Sequence, residues 1–426
     1  MIRVGIVGAS GYAGGEIARL LLGHREASIV RLTSRSHVGK AAFEVYPGLR
    51  GYTLPRFTDP PGSALARECD VVFVAAPPGA AAAVAREVLE ASSDTRIIDV
   101  GPDFRLRDPS LYHEWYGMVH EAPELLSEAV YGLPELYREE IRSARIVANP
   151  GCYPTAALLA LAPLVAWGYV DLGTIVIDAK SGVSGAGRTP STGYHFPECD
   201  ENLRPYGVVR HRHTPEIEQE LQRLSRSSQD GLRGPAGGPR ESRSADGGDL
   251  VVTFTPHLIP MSRGILVTAY AALKDPARSH GDPSGDACAR KAGPGPGGSS
   301  PGEIGRKGGG GCGGGRTVPR ERWSANGVAG VPPDPDQGAL TALYEDFYAG
   351  ERFVRVLRED LPQTKAVRGS NFCDIAVRVD PRTRRVIAMS ALDNLVKGAA
   401  GQAIQNMNIL FGLEESIGLE TPPVWP

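Results

Sequence analysis

Cys152 carries the strongest chemical signal in the chain. It sits in Ala148-Asn149-Pro150-Gly151-Cys152-Tyr153-Pro154-Thr155, after the apolar strand Arg145-Ile146-Val147-Ala148. A helix follows, with Pro154 suited to its first turn and Ala156 to Leu161 continuing it. A thiol there lies at the positive end of a helix dipole, beside unpaired N–H groups. Both favour thiolate, the nucleophilic form, and the N–H groups suit a developing oxyanion. A second signal is His211-Arg212-His213-Thr214-Pro215-Glu216-Ile217. Thr214 reads as an N-cap and Pro215 as a first helical residue, with the helix running to about Leu224. His213 precedes that helix start, where a general base can be held against a thiol. Glu216, one turn on, is expected to orient it. His211 is the rival base, and spacing does not decide between the two.

Three further groups fit a nucleotide and a phosphorylated substrate. The strand Ile2 to Val7 feeds Gly8-Ala9-Ser10-Gly11-Tyr12-Ala13-Gly14, and a helix continues from Glu16 through Leu22. Glycines in a strand–turn–helix context let the backbone approach a pyrophosphate, whose charge the helix N-terminus attracts. The second strand, Ser28 to Thr33, ends at Ser34, Arg35, Ser36 and His37 with no acidic residue. Hydroxyls and cations there favour a 2′-phosphate, hence NADP over NAD. Arg105, in the loop Gly101 to Asp108 after the strand Arg96 to Val100, reads either as holding a phosphate in fork geometry or as ion-paired with Asp103 or Asp108. The glycine–serine loop Lys180 to Arg188 reads as able to close over a ligand. Asn394 and Gln402, near the C-terminus, read as within reach of a bound nicotinamide.

These residues need a scaffold. Strand and helix alternate from Ile2 to Cys152, which predicts an α/β doubly wound parallel sheet of Rossmann type. Beyond the cysteine helix, strands dominate: Thr174 to Ala179, Leu250 to Phe254, Ile265 to Leu273, Val354 to Val356, Cys373 to Val379 and Arg385 to Ser390. That pattern predicts an α+β domain whose mixed sheet leans antiparallel. The stretch from about 274 to 337 is rich in Gly, Pro, Ser and Arg and reads as a disordered insertion. Arg226 to Gly248 reads as a loop.

Bulk properties narrow the function classes. The chain has 426 residues, 41% of them hydrophobic, enough for two domains with real cores. A net charge of −3 argues against nucleic acid or an acidic membrane as partner. Six cysteines without C-x-x-C spacing predict neither a metal site nor a disulfide framework. The absence of a long apolar run or a leader pattern gives a cytoplasmic expectation.

Taken in order, six motifs form a recognisable set: Gly8 to Gly14, Asn149 to Thr155, Ser181 to Gly187, His211 to Ile217, Pro256 to Gly264 and Asp393 to Gln402. Together they resemble the N-acetyl-gamma-glutamyl-phosphate reductase family, which is related to aspartate-semialdehyde dehydrogenase. The resemblance implies a nucleotide domain at 1–151, completed by 393–426, and a catalytic and dimerisation domain at 152–392. It implies NADP(H) as cofactor, an acyl phosphate as substrate and a homo-oligomer, dimer or tetramer. Cys152 would attack the acyl phosphate to form a thioester, which NADPH reduces to the aldehyde. His213 fits the acid/base and Glu216 its support. Gly8, Ser10, Gly11, Tyr12, Gly14, Ser34, Arg35, Ser184, Gly185, Asn394, Lys397 and Gly398 would be cofactor contacts. Arg105, Asn149 and His211 would meet the substrate. Gly101-Pro102 departs from the Ser-Ala usual there in the family. Two other readings stay open: a relative acting on a carrier-bound aminoadipyl phosphate, and a non-catalytic NADP-binding regulator.

Overall fold

A computed structural model describes residues 1–231, 250–274 and 335–425. The expected insertion therefore lies outside the described residues except at its two ends.

The first half forms one parallel sheet from β1 (Ile2–Val7), β2 (Ala27–Thr33), β3 (Phe57–Thr58), β4 (Val71–Val74), β5 (Arg96–Asp99), β6 (Ala129–Tyr131) and β7 (Ile146–Ala148). The strand order is β3-β2-β1-β4-β5-β7-β6. Helices cover both faces, so the central strands read as continuous apolar runs; every residue of β4 is fully buried. The order reverses between β1 and β4, and such switch points open a crevice at the carboxyl ends of strands. Four features gather at that edge. The glycine turn follows β1, Ala76 follows β4, Arg105 follows β5 and Cys152 follows β7.

The second sheet is mixed. It contains β8 (Val176–Gly182), β9 (Arg204–Pro205), β10 (Thr253–Ile259), β11 (Ile265–Ala272), β12 (Val354–Val356), β13 (Cys373–Asp380) and β14 (Arg385–Leu392). Their order is β12-β13-β14-β11-β8-β10-β9. The cysteine helix, Cys152–Ala166, packs on this sheet, and only its first residue escapes full burial. That explains its lack of a polar face. Its backbone also receives side-chain hydrogen bonds: Ser390 Oγ donates to the Ala156 carbonyl at 2.7 Å, and Tyr344 donates to that of Ala160 at 2.5 Å.

After β14 the chain turns back through a π-helical turn, Val396–Ala400, into the helix Gly401–Leu410. This helix returns to the first sheet and packs on the helices Tyr12–Leu21 and Pro134–Arg142. Asn406 Nδ2 donates to the Gly132 carbonyl at 2.8 Å, and Asn408 meets His24 at 2.9 Å.

Two expectations shift. The strand placed at Leu250 to Phe254 runs instead from Thr253 to Ile259, through Pro256. β9 pairs only with His257 and Leu258, so β10 is nearly an edge strand, where proline is tolerated. The helix after His213 extends to Gly231 rather than ending near Leu224, because the polar stretch from Arg226 continues it. Among the described residues no helix is long and apolar enough to cross a membrane.

Candidate active site

A cavity of about 410 Å³ opens between the sheets, and Cys152, Arg105, His211 and His213 all line it. Cys152 is the first residue of its helix, with Gly151 in extended backbone before it. Burial pushes the Cys152 thiol up to about 11, although the Arg105 charge and the Tyr153 N–H pull the other way. The expected thiolate is therefore corrected: desolvation outweighs the helix terminus in the free protein.

Arg105 is buried, held by two backbone carbonyls and faced by one carboxylate. Its Nε donates to the Asn149 carbonyl at 2.8 Å, and one terminal nitrogen donates to the Val100 carbonyl at 3.0 Å. The other terminal nitrogen lies 3.5 Å from Glu216 Oε2. The guanidinium thus reaches the cavity despite Gly101-Pro102.

Glu216 is fully buried, but it does not orient a histidine. Its Oε1 accepts the Gly151 N–H at 2.8 Å and the Tyr131 hydroxyl at 2.8 Å. One helical turn carries its side chain past His213 onto the cysteine turn and Arg105. Burial raises its carboxyl, against the Arg105 charge and these two donors.

His213 stands against the cysteine turn, where a Cβ on Gly151 would lie 2.5 Å from its Nε2. Its Nδ1 has no hydrogen-bond partner among the described residues. The His213 N–H donates to His211 Nδ1 at 3.1 Å, which assigns the His211 proton to Nε2. The two rings are 4.9 Å apart, and Tyr153, Tyr206 and Phe254 pack edge-on around His211. Burial and Arg212 push His211 down to about 4. Burial, with His211 and the nearby arginines, pushes His213 well below the usual histidine range. Both imidazoles are neutral at neutral pH.

Three expected ligand contacts are corrected. The Asn149 side chain is fully buried, donating to the Ala399 carbonyl at 3.2 Å and accepting from Asn406 at 3.1 Å. It ties the cysteine turn to the returning segment; only its carbonyl serves the site, through Arg105. Lys397 is fully buried against Glu135 at 2.5 Å and Gln405 at 2.9 Å, because a buried ammonium needs a carboxylate more than a ligand. Gln402 is buried and donates to Thr155 Oγ1 at 3.1 Å, inside the cysteine helix rather than toward the crevice. Gly398 packs on Cys152, where an added Cβ would stand 2.8 Å from the cysteine Cβ. Asn394 is buried and acts as a tie: Oδ1 accepts the Gly264 N–H and Nδ2 donates to Ser184 Oγ. It holds the loop whose Gly185 lines the cavity.

The glycine turn suits a dinucleotide. Gly8 has φ +74°, and a Cβ there would lie 2.2 Å from the Ala75 carbonyl oxygen. A Cβ on Gly14 would lie 2.6 Å from the Gly8 oxygen, so helix and turn pack without side chains. Gly11 caps the helix with no side chain, and Tyr12 begins it partly exposed. Ser10 and Ser34 hydroxyls meet at 2.8 Å beside the turn. The Arg35 side chain is 91% exposed and only 4.0 Å from Asp59, available to a phosphate at the end of β2. Sequence reasoning missed Tyr131, which holds Glu216, and Arg263, which grips Glu16 on the glycine-turn helix with two bonds at 2.9 Å. Arg263 lay inside a quoted motif; Tyr131 carried no local signal.

Residues 3–144 match the family model of the semialdehyde dehydrogenase NAD binding domain. Residues 152–233 and 328–394 match the semialdehyde dehydrogenase dimerisation domain. The fold agrees with aspartate semialdehyde dehydrogenase II from Vibrio cholerae complexed with ASA: TM-score 0.59 at 16% identity, over 97% of this chain and 98% of that one. The Candida albicans aspartate semialdehyde dehydrogenase with NADP gives 0.59 at 15%, over 98% and 99%. The chain is thus an oxidoreductase of the semialdehyde dehydrogenase fold with an NAD(P)-binding domain. N-acetyl-gamma-glutamyl-phosphate reductase from Desulforudis audaxviator is 46% identical over 435 residues, covering 100% of each chain. That from Symbiobacterium thermophilum is 46% identical over 428 residues, covering 100% of this chain and 99% of its own. The chain belongs to the N-acetyl-gamma-glutamyl-phosphate reductase family.

Proposed function

We propose that the chain reduces N-acetyl-L-glutamyl 5-phosphate to N-acetyl-L-glutamate 5-semialdehyde with NADPH, releasing phosphate, in arginine biosynthesis. The observation that carries this is one cavity joining a cysteine at a helix start, a buried arginine and two neutral histidines.

Because burial keeps Cys152 protonated, a base must take its proton as it attacks. His213 is neutral and stands against the cysteine turn, so it accepts that proton while the sulfur–carbon bond forms. The carbon–oxygen bond to phosphate then breaks, and the Arg105 guanidinium receives the leaving anion. NADPH, when bound at the glycine turn, supplies the hydride that brings the thioester carbon to the aldehyde level. His213 returns its proton to the sulfur as the carbon–sulfur bond breaks. His211, set edge-on to it with its proton on Nε2, lines the same cavity and meets the substrate.

In this reading the first sheet and the returning 393–426 segment form the nucleotide domain, and 152–392 the catalytic and dimerisation domain. Arg35 and Ser34 meet the 2′-phosphate, and Ser184 and Gly185 the nicotinamide end. The enzyme works in the cytoplasm as a dimer or tetramer; the matched dimerisation model supports self-association.

The test is phosphate-dependent oxidation of the semialdehyde, followed as NADPH formation. Cys152→Ser should abolish turnover while leaving NADPH binding intact. Turnover in that variant equal to the parent rejects the proposal.

A further inference from the structure

The glycine–serine loop does more than line the cavity. Its base is fixed at the catalytic side: the Gly182 N–H donates to the Gly264 carbonyl at 2.9 Å, and Asn394 holds Ser184 at 2.9 Å. Its far end reaches the other sheet. Gly187, at φ +83° with open space around its missing Cβ, ends the turn Val183–Ala186 just before Arg188. One terminal nitrogen of Arg188 then donates to the Ser10 carbonyl, inside the glycine turn, at 3.0 Å. The other donates to the Val45 carbonyl at 3.3 Å, and the guanidinium lies 5.0 Å from the centre of the Tyr46 ring. That ring is itself fixed to the turn. Its hydroxyl donates to the Gly11 carbonyl at 2.6 Å, and the ring fills the space where a Gly15 Cβ would stand.

We propose that Arg188 is a binding residue for the pyrophosphate of the dinucleotide, delivered from the second sheet onto the glycine turn. The proposal rests on the reading of Gly8 to Gly14 as the cofactor turn. The turn and the first turn of its helix carry N–H groups but no cation. Arg19, in the last turn, is paired with Glu16, and Arg263 grips the same carboxylate. Arg188 is exposed, and its acceptors are single neutral carbonyls. A guanidinium has five donors in a fork that matches phosphate oxygens, which are far stronger acceptors. It can exchange a carbonyl for phosphate while its guanidinium stays over the Tyr46 ring. Nucleotide binding then pins the loop whose Gly185 and Ala186 line the catalytic cavity.

The test is titration of the full chain with NADPH and with NADH, reading nicotinamide fluorescence without acyl substrate. Arg188→Met is expected to weaken both nucleotides by the same factor, about 10- to 100-fold for a lost charged contact. The preference between them should stay as in the parent chain, and Arg188→Lys should recover part of the affinity. Unchanged affinity in Arg188→Met overturns the proposal. A collapse of the NADPH preference overturns it too, because it moves the contact to the 2′-phosphate. If the parent chain binds neither nucleotide, the reading of the glycine turn fails first and takes this proposal with it. Should Arg188→Met lose its fold by circular dichroism, Arg188→Lys decides alone. It should bind both nucleotides several-fold more weakly at an unchanged preference, and parent-like affinity sinks the idea.

Discussion

Glu216 and Arg105 face each other at 3.5 Å beneath the cysteine turn, and the same carboxylate accepts the Gly151 N–H. Glu216 therefore sets the position of the cysteine turn and of the Arg105 guanidinium together. Glu216→Gln keeps an acceptor for Gly151 and Tyr131 but removes the charge facing Arg105. It should lower kcat by about tenfold or more and raise KM for phosphate in the reverse direction. Glu216→Ala leaves a buried cation without its carboxylate, which typically costs about 3–5 kcal/mol, readable by urea unfolding. A Glu216→Gln enzyme with the parent's KM for phosphate would remove Arg105 from this role.

The cysteine itself gives a pH prediction. A thiol pushed up to about 11 is almost wholly protonated at pH 7. Alkylation of Cys152 by iodoacetamide in the free protein should accelerate about tenfold per pH unit between 7 and 10. The Arg105 charge opposes burial there, so Arg105→Met should slow the reaction at every pH in that range. A rate already level at pH 7 would mean that the thiolate is formed without substrate.

Much of this site was legible in the chain. Cys152, Arg105 and His213 come together because each follows a strand end or begins a helix that local sequence marks clearly. The doubly wound parallel sheet also followed from strands and helices in alternation, with apolar runs such as Val71 to Val74, though its strand order did not. Partners were harder to read. Glu216 looked like a support for His213 because both lie at one helix start; its actual donors, Gly151 and Tyr131, are 65 and 85 residues away in sequence. Lys397 looked like a cofactor cation until its burial against Glu135, 262 residues away, was on view. Long-range pairing sets such roles, and local spacing carries no record of it.

The histidine pair makes the fold acid-sensitive in a definable window. His211 titrates near 4 in the folded chain and near 6.5 when unfolded. Between those values the unfolded chain binds more protons, so stability is full above about pH 6.5 and falls as the pH drops toward 4. His211→Asn cannot take up that proton. Its unfolding midpoint in urea should depend less on pH across this window than the parent's. Parallel curves for the two would place the His211 pKa in the folded chain near its ordinary value.

Gly398 separates a spacing role from a binding role. A Cβ there would stand 2.8 Å from the Cys152 Cβ and 3.2 Å from Leu392 Cδ1. The nearer obstacle sits next to the backbone of the cysteine helix, so it cannot swing aside like the end of a long side chain. Overpacking of this kind costs about 1–3 kcal/mol and is relieved by displacing the cysteine turn. Gly398→Ala should therefore lower the unfolding midpoint and cut kcat by about tenfold or more, while the NADPH affinity read by fluorescence stays near the parent value. If the affinity falls and the chemistry of the bound enzyme is spared, Gly398 is a cofactor contact after all, and the close approach to Cys152 is incidental.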